Sequence, residues 1–174
     1  YKIDLTKEDW FAYNDNFGTS EEKAFVAYFK DYIADLKKEY KDVYLVRNER
    51  EFHIYSFEDG SRFEPDYVIF LRKSEIDGFE QIQIFVEPKG THLLDKDAWK
   101  EKFLLQMQMS AVPVKKFKDD NKYIIWGIHF YNRDNRMKEF DSDFNQILHG
   151  NIKQKYPMDS EEFKLLAADP HKKD

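Results

Sequence analysis

Two strand-like runs in the sequence are each interrupted by a proline next to an acidic residue. The segment RFEPDYVIFLRK occupies residues 62–73, and IFVEPKG occupies residues 84–90. Proline lacks the N–H that a sheet ladder needs, and an uncompensated carboxylate is costly among apolar side chains. The fold must therefore open the sheet at both positions or bring a compensating cation to the acids.

Composition restricts the class of protein. The chain of 174 residues, 41% hydrophobic and 17% aromatic, is large and apolar enough for one folded domain over residues 1–174. It has no cysteine, which excludes a disulfide scaffold and a thiolate metal site, and we expect a cytoplasmic protein. No apolar run approaches the roughly 18 residues of a membrane span, so we expect no contact with a membrane.

The start of the sequence and its charge suggest a domain that works as part of a larger protein. Because the sequence begins with Tyr1 instead of methionine, we expect a fragment of a longer chain. The net charge of −6 argues against a domain that binds nucleic acid unaided, since phosphate contacts need clustered lysine and arginine. A function on nucleic acid would therefore require delivery by another part of the protein.

Helical spacing is clearest in the segment 19–40. Apolar residues such as Phe25 and Phe29 recur there at the interval of one face of an α-helix. Thr19 or Ser20 fits the N-cap position, because a hydroxyl oxygen can accept a hydrogen bond from a free N–H of the first turn. We therefore expect the first helix to begin at this point.

The pattern of apolar runs and turn residues predicts the other elements. Asp59-Gly60 is typical of a tight hairpin turn, and the run 122–132 is apolar enough for a strand buried on both faces. The order helix, antiparallel strands, helix, strand indicates an α/β fold with a mixed sheet. The other expected elements are a lead-in at 1–18 with one helical turn, strands at 41–49, within 51–73 and at 81–90, a helix at 94–111, and a fraying helix from 157.

Strand periodicity places the two acids near each other. Successive side chains on a strand point to opposite faces, so Glu87 and Lys89 share one face, and Asp66 shares a face with Val68. If the strands pair, two carboxylates and an ammonium group meet, and close carboxylates repel each other unless a cation lies between them. A divalent ion with oxygen ligands, above all Mg²⁺, fits that pair, and the Pro88 carbonyl becomes a further ligand where the strands separate. Each fragment alone also fits a solvated strand face or a turn.

The dipeptide PD at 65–66 followed by EPK at 87–89 resembles the signature of the PD-(D/E)xK nucleases. The longer stretch of sequence, in which VEPKG is followed by a His-Leu turn and by DKDAWKEKFL, is similar to the C-terminal endonuclease domain of the Res subunit of type III restriction enzymes. The resemblance covers about residues 19–131. It implies a restriction-endonuclease-like α/β core, with a central mixed β-sheet flanked by helices, in the C-terminal part of a longer helicase-nuclease chain.

The same resemblance implies roles for individual residues. Asp66 and Glu87 would be catalytic metal ligands, and Lys89 would be the catalytic lysine. Many members add a glutamate from the first helix as a further catalytic metal ligand, and helical spacing places Glu22, rather than Glu21, on the stripe that faces the sheet. Because Glu22 also lies three residues after a candidate N-cap, the alternative for it is a structural capping box.

The activity implied is Mg²⁺-dependent hydrolysis of phosphodiester bonds in double-stranded DNA, with Mn²⁺ as a substitute metal. The partners implied are an upstream helicase-like domain that uses ATP and a methyltransferase (Mod) subunit that reads the sequence. No phosphate-cradling GxxxxGK[ST] loop occurs in this chain, so ATP would bind only to that upstream module. Alternatives are another nuclease of this fold in DNA repair or recombination, and a non-catalytic domain of this fold that binds DNA or protein.

Two lysines in the helix after the signature each have two possible roles. Lys100 and Lys102 could reach DNA, and they could equally form the solvated side of an amphipathic helix. His92 follows the signature closely, but a histidine there more often stabilises the loop than contacts a phosphate.

Overall fold

A five-stranded sheet is the central feature of the computed structural model, which describes residues 4–13, 18–56, 59–75, 78–110, 113–114 and 122–152. Among these residues the helices are α1 (Ser20–Glu39), α2 (Ala98–Ser110) and α3 (Met137–Leu148), and a 3₁₀ turn spans Thr91–Leu93. The strands are β1 (Asp42–Arg47), β2 (Ile54–Tyr55), β3 (Arg62–Phe63), β4 (Tyr67–Glu75), β5 (Gly78–Val86), β6 (Pro113–Val114) and β7 (Lys122–Gly127).

The sheet is mixed, with the strand order β1-β4-β5-β7-β6. β4 is antiparallel to both β1 and β5, whereas β7 is parallel to β5, and the short β6 is antiparallel to β7. α2 lies in the crossover connection that a parallel pair requires. Tyr67 at the start of β4 pairs with Val86 at the end of β5. The residues just before β4 and just after β5 therefore meet at the same end of the sheet.

A capping box starts α1. The Thr19 hydroxyl accepts a hydrogen bond from the Glu22 N–H at 3.3 Å, and the Glu22 carboxylate accepts one from the Thr19 N–H at 2.5 Å. These reciprocal bonds satisfy donors that have no partner inside the helix. The helix ends after Glu39, where Tyr40 takes up extended backbone geometry.

Helices cover both faces of the sheet. On one face, α1 and α3 pack over strand residues such as Ile69 and Ile84, which are fully buried. On the other face, Leu104 of α2 packs with Val68 and Phe85. Because side chains alternate along each strand, the core is divided into two layers, one on each side of the sheet.

Aromatic rings join α1 to α3. Ring centroids of Phe25 and Phe140 lie 6.2 Å apart, and those of Tyr28 and Phe144 lie 5.2 Å apart, both edge to face. Tyr131 lies just before α3, and its ring centroid is 5.5 Å from that of Phe25. Each such pair contributes about 0.5–1.5 kcal/mol beyond the burial of its area. α3 is therefore an integral part of the layer that covers this face of the sheet.

The structure confirms most of the predicted elements and corrects the limits or the pairing of several. The predicted hairpin forms, but β2 pairs only with β3, in a separate two-stranded sheet. β4 begins only at Tyr67, because Pro65 lies between the two strands and has no N–H for a ladder. The helix predicted from residue 94 begins at Ala98, after the 3₁₀ turn.

Other differences concern segments without a clear pattern in the sequence. α3 and β6 were not foreseen. The predicted lead-in contributes to the core, since Leu5 and Trp10 are each only 1% exposed and Phe11 forms a bridge with Leu45 of β1. The helix expected from residue 157 lies outside the described residues. None of the helices that the structure describes is long and apolar enough to cross a membrane.

We expect Gly127→Ala to destabilise the fold. Gly127 ends β7 against α2, and a Cβ atom at this position would overlap the main chain of Leu104. Because a helix backbone cannot move aside as a side chain can, we expect the free energy of unfolding to fall by about 1–3 kcal/mol. Urea unfolding followed by circular dichroism measures the change, and an unchanged midpoint would show that α2 is not held closely against β7.

Candidate active site

The sheet opens at Pro88, immediately after β5. Here the chain leaves β4 and forms a single parallel bridge with Tyr131. The Tyr131 N–H donates to the Glu87 carbonyl at 3.1 Å, and the Lys89 N–H donates to the Tyr131 carbonyl at 3.0 Å. Pro88 therefore loses no hydrogen bond by lacking an N–H, and its carbonyl accepts none from the described residues.

The second interrupted strand opens in a related way at Asp66. The carbonyl of Asp66 accepts a hydrogen bond from the Asn48 N–H at 2.8 Å, just beyond the last pair of β1 and β4. Its own N–H has no strand partner and donates instead to Glu87 Oε2 at 3.0 Å. A side chain thus replaces the ladder at the point where β4 and β5 separate, and this bond brings the two acids together.

The pair of acids lies in a poorly solvated environment. Glu87 is only 2% exposed. Burial raises the pKa of Asp66 to about 7, with further contributions from the charges of Glu87 and Glu22. Both burial and a neighbouring negative charge disfavour the ionised carboxylate. A cation bound at this pair would stabilise the ionised form of Asp66.

Lys89 lies within hydrogen-bonding distance of two carboxylates. Its Nζ is 2.7 Å from Glu87 Oε1 and 2.9 Å from Asp97 Oδ2. Burial lowers the pKa of Lys89, but Glu87 and Asp97 raise it by more, so that it lies above the usual value for lysine. Lys89 therefore remains an ammonium group at neutral pH.

Asp97 and Lys100 belong to the same group of charges, although the sequence alone did not assign them to it. Lys100 Nζ lies 3.5 Å from Asp97 Oδ2 and 3.9 Å from Glu87 Oε1. The spacing of three residues at the start of a helix was the available signal for the pair of Asp97 and Lys100. The partnership of Asp97 with Lys89 depends on tertiary packing and leaves no local pattern.

Glu22 takes part in the capping box and also faces this region. Its Oε2 accepts from the Thr19 N–H, and its Oε1 lies 3.4 Å from Arg47. Glu22, Arg47 and Asp66 line one cleft of about 520 Å³. Glu21 has a different partner, since its Oε2 accepts from the Ser20 hydroxyl. Glu22 therefore forms the capping box that was the alternative to a catalytic role, and its role as a metal ligand stays a prediction.

The donor atoms at this site fit Mg²⁺ with few protein ligands. Among the residues that the structure describes, no three His, Cys, Asp or Glu side chains are grouped as metal ligands. Glu22 is thus not gathered with Asp66 and Glu87 into a ready site of three carboxylates. Mg²⁺ needs only one or two carboxylates, because it keeps several of its waters. Asp66, Glu87 and the Pro88 carbonyl supply oxygen donors of the appropriate kind.

Asn132 fixes the turn that carries Lys89, a role that no pattern in the sequence indicates. Its Nδ2 donates to the Lys89 carbonyl at 2.8 Å and to Thr91 Oγ1 at 3.2 Å. Its Oδ1 accepts from the N–H groups of Asp134 and Asn135, at 3.1 and 2.7 Å. Since Asn132 is only 2% exposed, these bonds satisfy a buried amide and hold the turn against the start of α3.

We expect Asp66→Asn to raise the melting temperature of the metal-free protein at pH 8 but not at pH 4. An acid with a raised pKa in the folded state favours folding only while it is protonated, and that contribution is lost as the pH rises from about 4 towards 7. Asparagine stays neutral throughout, so the increase at pH 8 should be at least about 2–4 °C, the effect of roughly 1 kcal/mol in a domain of this size.

Thermal unfolding in EDTA at the two pH values measures this effect. The exposed Asp95 provides the control, because Asp95→Asn makes the same chemical change at an exposed position. An equal shift at both pH values, or in both variants, would contradict the interpretation of Asp66.

Comparison with known proteins provides a family for the chain. The model of the family described as "HI_1054_C: C-terminal domain" matches residues 2–153. A protein of Haemophilus influenzae (strain ATCC 51907 / DSM 11121 / KW20 / Rd), named "Uncharacterized protein", is 34% identical over 144 residues, which cover 78% of this chain and 31% of the relative. The chain thus spans about a third of the length of that relative. No solved structure matches the chain significantly. The chain belongs to the HI_1054_C C-terminal domain family.

Proposed function

We propose that the chain is a Mg²⁺-dependent endonuclease domain that hydrolyses phosphodiester bonds of DNA, as the cleavage module of a type III restriction enzyme Res subunit. One observation carries the proposal. The Asp66 N–H lies 3.0 Å from the Glu87 carboxylate, and Lys89 Nζ lies 2.7 Å from the same carboxylate, where two strands separate. Two acids and a lysine in this arrangement match the roles that the signature implies.

The topology also supports the proposal. Apart from the small β2–β3 sheet, β6 and the final helix α3, the helices and strands follow the order α1, β1, β4, β5, α2, β7. This is the order of helix, three strands, helix and strand expected of a restriction-endonuclease-like core, and β7 lies parallel to β5 beside the site. Asp66 immediately precedes β4, and Glu87 and Lys89 follow β5. These two strands are the central strands of that core.

The chain's own residues have distinct parts in such a reaction. The carboxylates of Asp66 and Glu87, with the Pro88 carbonyl, would hold Mg²⁺. When bound, Mg²⁺ supplies positive charge that stabilises the negative charge developing on a phosphate. As an ammonium group paired with Glu87, Lys89 would stabilise that charge.

Glu87 connects these parts. Its Oε2 accepts from the Asp66 backbone, and its Oε1 is paired with Lys89. One nearly inaccessible side chain thus contacts both the backbone of a candidate ligand and the candidate catalytic cation. Preorganisation of this kind is the main source of electrostatic catalysis.

Delivery to DNA is proposed to come from other parts of the assembly. The chain has 28 Lys and Arg residues against 34 Asp and Glu residues, so its long-range field repels phosphate on average. An upstream helicase-like domain and a methyltransferase (Mod) subunit are the proposed partners, and double-stranded DNA is the proposed substrate. Under this proposal ATP acts only in the helicase-like domain.

We expect Asp66→Ala and Glu87→Gln each to reduce DNA cleavage by the natural-length protein more than about 100-fold, because each removes a charge that holds the metal. Both variants should remain folded. Asp66→Ala keeps the backbone N–H at position 66, and Glu87→Gln keeps an oxygen that can accept a hydrogen bond from the Asp66 N–H. Cleavage of supercoiled plasmid in Mg²⁺ or Mn²⁺, together with calorimetric titration of Mn²⁺, measures activity and metal binding separately.

Asp95→Asn is the matched control and should cleave normally. Normal cleavage by either site variant would contradict the assignment of the metal site. A folded wild-type protein that binds DNA but neither binds Mn²⁺ nor cuts would instead favour the non-catalytic domain.

We expect the chain by itself to bind duplex DNA weakly, with a dissociation constant at or above about 10⁻⁴ M near physiological salt. Non-specific affinity arises from counterion release by clustered cations, and here acids outnumber bases. Fluorescence anisotropy with a labelled duplex at about 150 mM salt measures the constant. Micromolar affinity would contradict delivery by partners and favour a nuclease that acts alone in repair or recombination.

A further inference from the structure

A second lysine lies beside the proposed catalytic lysine. Lys100 Nζ is 3.9 Å from Glu87 Oε1, so both lysines approach the same carboxylate oxygen. The Lys100 side chain is 24% exposed, against 10% for Lys89. Lys100 is therefore the more accessible cation of the site.

The two ammonium groups are engaged to different degrees. Lys89 makes two short contacts, at 2.7 and 2.9 Å, which are the lengths of charge-assisted hydrogen bonds. Lys100 makes two longer contacts, at 3.5 and 3.9 Å, beyond the range of strong hydrogen bonds. Since an ammonium group has three donors, Lys100 can bind an incoming oxygen without breaking a short bond.

Two aromatic rings lie near the ammonium group of Lys100. Its Nζ lies 5.8 Å from the ring centroid of Phe63 and 5.9 Å from that of Trp99, within the range of cation–π attraction. Lys102 lies two residues further along α2, and residues at that spacing do not share a helix face. The two lysines that the sequence left open are therefore distinguished by the structure.

The charge balance provides an independent reason for a second lysine. Asp66, Glu87 and Asp97 contribute three carboxylates, and Lys89 and Lys100 contribute two ammonium groups. These five groups leave one negative charge, which a divalent cation would convert to one positive charge. A phosphodiester carries one negative charge, so the complete group would be complementary to it, whereas without Lys100 the group would be neutral.

We propose that Lys100 binds a phosphate of the DNA substrate, and that Asp97 is the positioning residue that holds both lysines beside Glu87. Asp97 Oδ2 is the atom that both ammonium groups approach, at 2.9 Å from Lys89 and 3.5 Å from Lys100. This inference rests on the proposed function and adds two residues to the same site.

The salt dependence of DNA binding tests Lys100. The natural-length protein is titrated with a labelled duplex in Ca²⁺ in place of Mg²⁺, with a gel to confirm that the DNA stays uncut. Each phosphate contact contributes about 0.9 to the slope of log affinity against log salt concentration. Lys100→Met should therefore make the slope shallower by about 0.9, Lys100→Arg should keep the wild-type slope, and Lys102→Met is the control of equal charge change.

The outcomes separate this inference from the proposed function. Equal slopes for wild type and Lys100→Met, or equal losses for Lys100→Met and Lys102→Met, would overturn the role of Lys100 and leave the nuclease proposal standing. A wild-type protein that binds no duplex in Ca²⁺ would overturn both.

Asp97→Asn tests the positioning role. Both lysines remain in this variant, so the salt slope should stay at the wild-type value. The turnover number should fall about tenfold or more, because the lysines lose the anion that holds them in place, and Asp97→Glu should restore part of it. An unchanged turnover number, or a slope that changes together with it, would overturn the assignment of Asp97.

Discussion

The hydrogen bond from the Asp66 backbone N–H to the Glu87 carboxylate, 3.0 Å long, is the contact on which the site depends. It forms because the ladder between β4 and β5 stops at Tyr67 and Val86, which leaves the next N–H without a strand partner. A buried N–H without an acceptor would be costly, and here the Glu87 carboxylate accepts the hydrogen bond from the Asp66 N–H. The bond joins the two acids, while burial raises the pKa of Asp66, and Asn132 and the bridge at Pro88 place Lys89 beside Glu87.

Glu87 takes part in several interactions at once, and this affects how its contribution can be measured. Its oxygens contact Asp66, Lys89 and Lys100, so the removal of one partner changes the electrostatic environment of the others. Substitutions of residues in direct contact are generally not additive. The effects of single substitutions at this site therefore describe the group of charges as a unit.

The two interrupted strands and the first helix could be predicted because their signals are local. Alternation along each strand located Asp66 and Glu87, and the capping pattern located the start of α1, which the structure confirms. Asp97 and Asn132 could not be recognised, since their partners are brought near only by the crossover and by the bridge at Pro88. α3 was missed because its segment is mostly polar, and its buried residues include an acid, Asp143.

The aromatic contacts between α1 and α3 set a lower limit on the smallest piece of this chain that can fold. The residues with the nuclease-like pattern end at about residue 131, yet Phe25 packs on Phe140, and Asn132 holds the Lys89 carbonyl. A fragment that stopped there would expose one side of α1 and release the turn beside Glu87. A boundary drawn at the end of the motif is therefore too short, since the buried core extends at least to Ile147.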